Sequence, residues 1–183
     1  MAVLEGKKIA IIVGTNFEQV ELTGPKKELE EAGATVHILS PIDEPLQGLN
    51  HVDKADIFMR DMAVADANFD TYNAIVLPGG TVNADSLRMD DDVQQAVTDF
   101  LESGKLVAAI CHAPWVLVSA DVARGRRLTS YYTIQDDICN AGGDWVDEAV
   151  VIDGNLITSR KPDDIPAFSS AIIKNLQALD AAV

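Results

Sequence analysis

The stretch KLVAAICHAPWVLVSA (Lys105–Ala120) decides the fold, because it joins a buried strand to a helix through a sharp turn. The run Lys105–Cys111 is apolar after its lysine, which is typical of a strand covered on both faces. Pro114 suits the first turn of a helix, so we predict a helix over Pro114–Ala120. A strand that passes directly into a helix lifts the junction residue above the sheet. The stretch therefore predicts a nucleophile elbow with Cys111 at its tip.

Short β-branched runs and amphipathic stretches alternate along the rest of the chain as well. This alternation, with short connections, predicts an α/β fold with an open, doubly wound, mostly parallel sheet and helices on both faces. The length of 183 residues predicts a single domain over residues 1–183. A segment punctuated by Pro41, Pro45 and Gly48 is predicted to be a loop. The predicted strands are Lys7–Val13, Thr35–Ser40, Asn73–Gly80, Lys105–Cys111 and Arg127–Tyr131, with one or two short strands in Asp56–Ala65 and a hairpin over Ala149–Ser159, and the predicted helices are Lys26–Gly33, Asp90–Ser103, Pro114–Ala120, Ile134–Ala141 and Ile165–Leu179.

The composition excludes several classes of partner. A formal net charge of −15 would repel the phosphates of nucleic acid and an anionic membrane surface, so we expect neither partner. No apolar stretch approaches the roughly 20 residues that span a bilayer, and Ile9–Val13 is too short for a signal core, so we expect a cytoplasmic protein. Cys111 and Cys139 are not expected to form a disulfide in a reducing compartment. No cysteine or histidine spacing indicates zinc, and we expect no metal or other cofactor.

Cys111 and His112 are the residues best suited to covalent chemistry. A thiolate at the N-terminus of the following helix would be stabilised by the positive end of the helix dipole, which predicts a lowered thiol pKa. The alternative is that Cys111 only continues the apolar run as a small hydrophobic residue. His112 is the best candidate base, although adjacent residues on a helix do not face each other. His37 lies within a strand and His51 in a polar loop, so packing and solvation explain them.

Six motifs together resemble one known family. The resemblance covers nearly the whole chain, and it points to the PfpI-type intracellular cysteine peptidases, within the superfamily of the Parkinson's-disease-associated deglycase protein. It implies a flavodoxin-like sheet of the class I glutamine amidotransferase-like kind. The motifs are NFEQVEL, LPGGTVNADSLR, AAICHAP, ARGRRLTSY, DDICNAGGDWVDEAVVIDGNLITSR and PDDIPAF.

The resemblance implies a role for one glutamate of NFEQVEL. Cys111 resembles the reactive cysteine of the family, and Glu18 resembles the glutamate whose carboxyl group points at that sulfur. A carboxyl group held beside a thiolate resists ionisation and can donate a hydrogen bond to the sulfur. Glu21, one turn further along, is expected to face solvent. The alternative is that both glutamates are surface acids.

The resemblance also implies roles for backbone groups and for one aspartate. The N–H groups at Gly79 and Gly80, and at His112 after the cysteine, resemble an oxyanion hole. A turn that needs positive φ would also explain the two glycines. Asp85 lies where peptidase members have an acid that reaches His112 from a neighbouring subunit. Equally, Asp85 could cap the segment that follows it.

Two positions depart from the family pattern. Ala113 replaces a glycine that is common after the Cys-His pair, and its methyl group is expected to narrow the site. Tyr132 replaces a proline that is common after the TSY sequence, so the loop near Tyr131 is expected to differ and to change the substrate range. Cys139 has no acid or base near it in the sequence pattern and is expected to be incidental.

Two functional hypotheses follow from the same cysteine. The first is a cysteine-dependent enzyme without a cofactor, a hydrolase or a glyoxalase-type lyase that acts on peptides, small dicarbonyls or glycated groups. The second is a non-catalytic sensor of oxidative stress, or a chaperone-like protein, that uses an oxidisable Cys111. The resemblance implies a homodimer or a hexamer built from dimers. Trp115 and Trp145 are candidate interface residues, although either could belong to the core.

Overall fold

Strands and helices alternate through residues 2–181, which the computed structural model describes, with side chains described for residues 2–178. None of the helices in this range is long and apolar enough to cross a membrane. The strands are β1 (Lys8–Ile12), β2 (Phe17–Glu18), β3 (Thr35–Ser40), β4 (Leu46–Asn50), β5 (Asp53–Phe58), β6 (Met62–Ala63), β7 (Ala74–Leu77), β8 (Leu106–Ile110), β9 (Arg127–Leu128), β10 (Asp144–Trp145), β11 (Val150–Asp153) and β12 (Leu156–Ser159). The α-helices are α1 (Gln19–Glu31), α2 (Thr81–Leu87), α3 (Asp91–Glu102), α4 (Pro114–Ser119), α5 (Gln135–Asn140) and α6 (Ile165–Ala181).

The central sheet has the spatial strand order β11-β12-β8-β7-β1-β3-β6. All neighbouring strands in it are parallel except the edge pair β11 and β12, which is the antiparallel hairpin predicted at residues 149–159. The strand order reverses beside β1, as in doubly wound sheets. This architecture confirms the predicted α/β fold with a mostly parallel sheet.

Each face of the sheet is covered by its own layer of helices. Ile9 and Ile11 of β1 pack with residues of α1 and α6, whereas Ala10 and Ile12 pack with residues of α2 to α5. Alternate residues of a strand point to opposite faces, so a strand covered on both sides must be apolar throughout. The central strands show this pattern, because every residue of β7 and β8 is buried.

Parts of the secondary structure differ from the sequence-based prediction, and the strand predicted at Arg127–Tyr131 ends at Leu128. The segment after Ser40 is not all loop, because Gly48 lies in β4 and pairs with Phe17 in a separate three-stranded sheet, β2-β4-β5. The first helix begins at Gln19 rather than Lys26 and includes Pro25. Thr81–Leu87 forms a helix that was not predicted. In each case long-range packing supplies the missing stabilisation, because short or proline-containing segments have weak intrinsic preferences.

The carboxyl ends of β7, β8 and β12 meet at one edge of the sheet. Cys111 follows β8, and its backbone N–H donates to Ser159 O at 3.0 Å, which continues the ladder between β8 and β12. The turn at Gly79 and Gly80 follows β7, the other neighbour of β8. The fold therefore brings the cysteine and the two glycines together at the edge where such sheets bind ligands.

Candidate active site

Cys111 occupies a strained turn between β8 and α4. Its φ angle is +65°, a left-handed conformation that costs a non-glycine residue about 1–3 kcal/mol. Two hydrogen bonds hold this conformation, one from the Cys111 N–H to Ser159 O and one from the Tyr131 N–H to Cys111 O at 2.7 Å. The side chain is 7% exposed. The elbow predicted from the strand-to-helix junction is therefore present, and its sulfur lies almost out of contact with water.

His112 contacts the sulfur despite being its neighbour in sequence. The distance from Cys111 Sγ to His112 Nδ1 is 3.3 Å. The other ring nitrogen, Nε2, lies 3.2 Å from Thr133 Oγ1 and 3.3 Å from Thr81 Oγ1. When Nε2–H donates to these hydroxyls, the lone pair of Nδ1 faces the thiol. Burial lowers the pKa of His112, so at neutral pH the ring is a neutral base aimed at the sulfur.

Aromatic side chains hold the imidazole in this orientation. Tyr131 stacks on His112 with ring centroids 4.9 Å apart and an interplanar angle of 26°. The Trp115 ring lies 5.6 Å from that of His112, centroid to centroid, in an edge-to-face arrangement with an interplanar angle of 64°. Trp115 is itself held by a hydrogen bond from its Nε1–H to Asp137 Oδ2 at 3.2 Å and by Arg88, which lies 5.2 Å from the indole centroid. The imidazole is thus packed against aromatic rings on two sides, which restricts its orientation.

Glu21, not Glu18, is the glutamate beside the sulfur. Its side chain is fully buried, and its carboxyl group accepts the Gly79 N–H at 2.7 Å and interacts with the Cys111 thiol. Burial, and secondarily the negative charge of Glu18, raises the pKa of Glu21 to about 8. The expectation that Glu21 faces solvent was wrong. At neutral pH this residue is a carboxylic acid with a proton to donate.

Glu18 lies at the N-cap of α1 in extended conformation, and the contacts of its carboxylate are with His51 rather than with Cys111. It accepts the His51 N–H at 3.2 Å and lies 3.9 Å from His51 Nδ1, at the turn between β4 and β5. The prediction that Glu18 points at the cysteine is therefore corrected. Its effect on the site is indirect, through the charge that helps to keep Glu21 protonated.

The backbone donors near the sulfur are those of Gly80 and His112. Both N–H groups act on the Cys111 side chain in the direction that lowers its thiol pKa. The Gly79 N–H is already donated to Glu21, so the predicted oxyanion hole loses this member. Gly79 has a steric role instead, because a Cβ there would lie 2.6 Å from Glu21 Oε2 and 2.7 Å from Cys111 Cβ. Gly80 has φ +89°, which a residue with a side chain adopts with difficulty.

The pKa of the Cys111 thiol is raised rather than lowered. Burial is the largest cause and the charge of an ionised Glu21 the second, whereas the N–H groups of Gly80 and His112 act in the opposite direction. The short helix α4 does not overcome the loss of water around the sulfur, so the predicted activation by the helix dipole is corrected. The resting pair at neutral pH is a thiol beside a carboxylic acid.

The remaining predicted residues lie at the border of the site or outside it. Asp85 is exposed on α2, and among the described residues the Nε2 atom of His112 contacts threonine hydroxyls rather than this carboxylate. Ala113 is buried in the core between the sheet and α2 to α5, so its methyl group does not narrow the site as expected. Cys139 is exposed on α5. A role for Asp85 across a subunit interface stays a prediction.

Three residues at the site were not among the sequence-based predictions. Thr81 and Thr133 contact the His112 ring, and Tyr131 stacks on it and anchors the cysteine carbonyl. Thr81 follows the two glycines directly, and this position after a strand end was a usable signal. Thr133 carried no local signal, because only the packing of the segment after β9 against α4 brings it to the histidine.

Comparisons with known proteins identify the family of the chain. A family model described as DJ-1/PfpI family matches residues 7–175. A deglycase of Pyrococcus abyssi is 39% identical over 170 residues, which cover 93% of this chain and 99% of that protein. A Bacillus subtilis protein named "Putative cysteine protease YraA" is 39% identical over 164 residues, which cover 89% of this chain and 94% of that protein.

Solved structures show the same fold. Drosophila melanogaster DJ-1beta is similar with a TM-score of 0.86 and 30% identity, and the match covers 94% of this chain and 91% of that one. A two-domain protein of Anabaena variabilis, with DJ-1/ThiJ/PfpI-like and ferritin-like domains, has a TM-score of 0.88 and 37% identity. That match covers 93% of this chain and 48% of the Anabaena chain, so the present chain spans about half of it.

A doubly wound sheet with a buried cysteine at a strand-to-helix elbow defines the class of α/β proteins that carry a nucleophile at the carboxyl edge of the sheet. Within that class, the matched residues and the relatives determine the assignment. The chain belongs to the DJ-1/PfpI family.

Proposed function

We propose that this protein is a cytoplasmic, cysteine-dependent enzyme that converts small 1,2-dicarbonyl compounds, such as methylglyoxal, to hydroxy acids and so protects against reactive carbonyls. The observation that carries the proposal is the arrangement of two proton carriers around one sulfur. His112 Nδ1 lies 3.3 Å from Cys111 Sγ, and the Glu21 carboxyl interacts with the same thiol. One group is a neutral base and the other a carboxylic acid at neutral pH.

The first step is addition of the thiol to the aldehyde carbon of methylglyoxal. The S–C bond forms while the thiol proton passes to His112 Nδ1, and the carbonyl oxygen accepts a proton to give a hemithioacetal. The N–H groups of Gly80 and His112, which lie at the sulfur, can donate to the developing oxyanion. Because the base removes the proton during attack, the reaction does not need a preformed thiolate.

The second step is an internal redox isomerisation. A proton leaves the carbon that bears the sulfur and a proton is added to the former ketone carbon. The hydroxyl oxygen of the hemithioacetal also loses its proton and the former ketone oxygen gains one, which gives a thioester of lactic acid. One carbon is oxidised by two electrons and its neighbour is reduced by two, so no external oxidant takes part. Water then cleaves the thioester, and lactate leaves as the thiol is restored. The net reaction is methylglyoxal plus water to lactate and a proton, with His112 and Glu21 as the proton carriers.

A small carbonyl substrate fits the site better than a peptide. Cys111 is 7% exposed and its thiol pKa is raised, so a strongly electrophilic and small partner is favoured. An aldehyde meets both requirements, whereas a peptide bond is a weak electrophile on a long chain. The name of the Pyrococcus relative supports chemistry on glycated groups, and that of the Bacillus relative keeps peptides as a second substrate class.

Turnover of methylglyoxal tests the proposal. Purified protein should form lactate, Cys111→Ala should form none above the buffer rate, and the matched control Cys139→Ala, at the exposed cysteine, should retain full activity. Lactate is quantified enzymatically after removal of the protein. Equal rates for wild type and Cys111→Ala would refute the proposal, and hydrolysis of fluorogenic peptides by the same protein preparations would replace it with peptidase activity.

A sensor of oxidation is the second candidate function, and one observation favours it. Glu21 Oε1 is buried without a nitrogen or oxygen partner among the described residues, and the Cys111 thiol is the side chain that interacts with this carboxyl. A protonated Glu21 can donate a hydrogen bond to a sulfinate formed on the sulfur. Intact mass after mild peroxide should show added oxygen on Cys111 in a sensor. Absence of turnover with every dicarbonyl, together with this oxidation, would favour the sensor over the enzyme.

We further propose that the protein self-associates as a homodimer or a larger homo-oligomer. The support is family membership and the exposed position of Asp85 on α2, next to the helix start where Thr81 contacts His112. An acid supplied by a second copy could then reach the imidazole. In that arrangement the assembled protein, rather than the isolated chain, is the active form.

A further inference from the structure

An exposed aromatic side chain lies next to the reactive pair. Tyr132 is 67% exposed, and its ring lies 4.8 Å from that of Tyr131, centroid to centroid, at an angle of 39°. Tyr131 stacks in turn on His112 at 4.9 Å. The three rings form a continuous column from the imidazole that contacts the sulfur to the solvent. We call Tyr131 and Tyr132 the tyrosine pair.

The tyrosine pair is held in place by its own segment. The Tyr131 N–H donates to Cys111 O at 2.7 Å, and the Ile134 N–H donates to Tyr131 O at 3.2 Å. Ile134 is buried, and Thr133 contacts His112 Nε2 at 3.2 Å. The chain is therefore fastened on both sides of Tyr132, in a 3₁₀ turn over Tyr132–Ile134. A ring carried on a restrained backbone can stack on a ligand with a smaller loss of conformational entropy than one on a mobile loop.

A second exposed apolar side chain flanks the histidine. Thr81 contacts His112 Nε2 at 3.3 Å, and its neighbour Val82 is 53% exposed. Single exposed apolar residues are common on protein surfaces and need no explanation by themselves. Here, however, Val82 directly follows Thr81 and Tyr132 directly precedes Thr133. These are the two threonines whose hydroxyls contact His112. The border of the site is thus apolar in a chain with a net charge of −15.

We propose that Tyr132 is a specificity-determining residue that favours dicarbonyl substrates with an aromatic or extended apolar substituent, such as arylglyoxals, over methylglyoxal. This inference rests on the proposed function, because it names the substituent that the same site accepts. With the reactive carbonyl at the sulfur, an aryl group extends along the column and contacts the tyrosine pair. A methyl group is too short to reach Tyr132 and gains nothing from it.

Alkylation of Cys111 tests this recognition without any turnover. N-Benzyliodoacetamide and iodoacetamide carry the same reacting carbon, and only the first carries a ring that can reach the tyrosine pair. We take the alkylation rate of Cys111 with N-benzyliodoacetamide over that with iodoacetamide and divide it by the same ratio for glutathione. This alkylation ratio should exceed one in wild type. It should fall about three- to tenfold in Tyr132→Ala, the range that an aromatic contact provides. Tyr132→Phe should keep the wild-type ratio, because the ring and not the hydroxyl is required.

A control variant removes an exposed apolar side chain elsewhere. Ile152, 56% exposed, lies on the edge strand β11 opposite Ile157, and Ile152→Ala should leave the alkylation ratio unchanged. Cys139→Ala is the background for all variants, so that only Cys111 reacts. Equal alkylation ratios in wild type and Tyr132→Ala would overturn the inference. They would do so also if the cause were a second copy of the chain that covers Tyr132.

The steady-state counterpart separates this inference from the proposed function. kcat/KM for phenylglyoxal relative to methylglyoxal should fall about three- to tenfold in Tyr132→Ala and stay unchanged in Tyr132→Phe. Turnover of both compounds with a ratio that Tyr132→Ala does not change would overturn the inference and leave the proposed function standing. No turnover of either compound, with the alkylation ratio as expected, would refute the proposed function and support the recognition by Tyr132.

Discussion

Replacing Glu21 by Gln should change how the stability of the protein depends on pH. The pKa of Glu21 rises from its ordinary value of 4.5 to about 8 in the folded protein, chiefly because the carboxyl group is buried. Between these values the folded state holds a proton that the unfolded state has lost. The free energy of unfolding therefore falls as pH rises through this window, by about 1.4 kcal/mol per pH unit from this residue.

The magnitude follows from the width of the window. Relative to pH 4.5, Glu21 costs the folded state about 3 kcal/mol at pH 7 and about 4 kcal/mol at pH 8. Gln is neutral, has nearly the same shape and keeps an oxygen to accept the Gly79 N–H, so it does not carry this cost. Between pH 5.5 and 7.5 the variant should gain about 3 kcal/mol on wild type. Other ionisable groups contribute equally to both proteins and cancel in the difference.

Urea denaturation of both proteins at half-unit intervals from pH 5 to 8 measures this difference. The control is Glu31→Gln, which removes a carboxylate from the exposed end of the same helix, where the side chain is 66% exposed. Its stability curve should run parallel to that of wild type, because charges exposed to water contribute little. A difference between Glu21→Gln and wild type that stays constant over this range would show that Glu21 is ionised in the folded protein and would refute the reasoning.

Three further predictions concern the same site. Thr133→Val should lower kcat about three- to tenfold with little change in KM, because one of the hydroxyls that hold His112 is lost. Thr133→Ser keeps a hydroxyl and should restore kcat. An unchanged kcat in Thr133→Val would contradict the positioning role of Thr133. Asp85→Ala should lower turnover without changing alkylation of Cys111. If Asp85 acts across a subunit interface, activity should also fall on dilution, over the same concentrations at which light scattering reports dissociation. A fully active monomer would exclude Asp85 from the mechanism. Oxidation of Cys111 by peroxide should be slow at neutral pH and should accelerate as pH rises, because the thiol pKa is raised. Mass spectrometry measures the rate. Equal rates at pH 6 and pH 9 would disprove the raised pKa.

The parts of the fold that depend on local pattern were predictable. The strands of the central sheet are buried on both faces, so each appears in the sequence as a short apolar run, and β3 has the predicted bounds Thr35–Ser40. Asp90, predicted at the start of a helix, is the N-cap of α3 and accepts the Val93 N–H. The three-stranded sheet was not predictable in this way. Its strand β5 has mostly exposed residues and is held by pairing with β4, which local hydrophobicity does not report.

The identity of the acid at the cysteine shows the limit of local reasoning. Glu18 and Glu21 are three positions apart in NFEQVEL, a spacing that would place both on one side of a helix. The helix begins only at Gln19, so Glu18 stays in extended conformation and turns to His51, while Glu21 is buried beside the sulfur. That difference depends on where the hairpin of β4 and β5 packs, and the hairpin lies almost thirty residues further along the chain.

By itself, the sequence determined the α/β architecture and the place of the reactive centre, because apolar runs, a proline at the start of a helix and a cysteine between them are local features. The tertiary structure alone decided the chemistry of that centre. It selected Glu21 as the acid, gave the Gly79 N–H to that acid and oriented His112 through two threonines from distant segments. It also raised the thiol pKa that the helix terminus was expected to lower. The physical reason is that protonation depends on the water and charges excluded or retained around a group, and these are set by residues from the whole chain that meet only after folding.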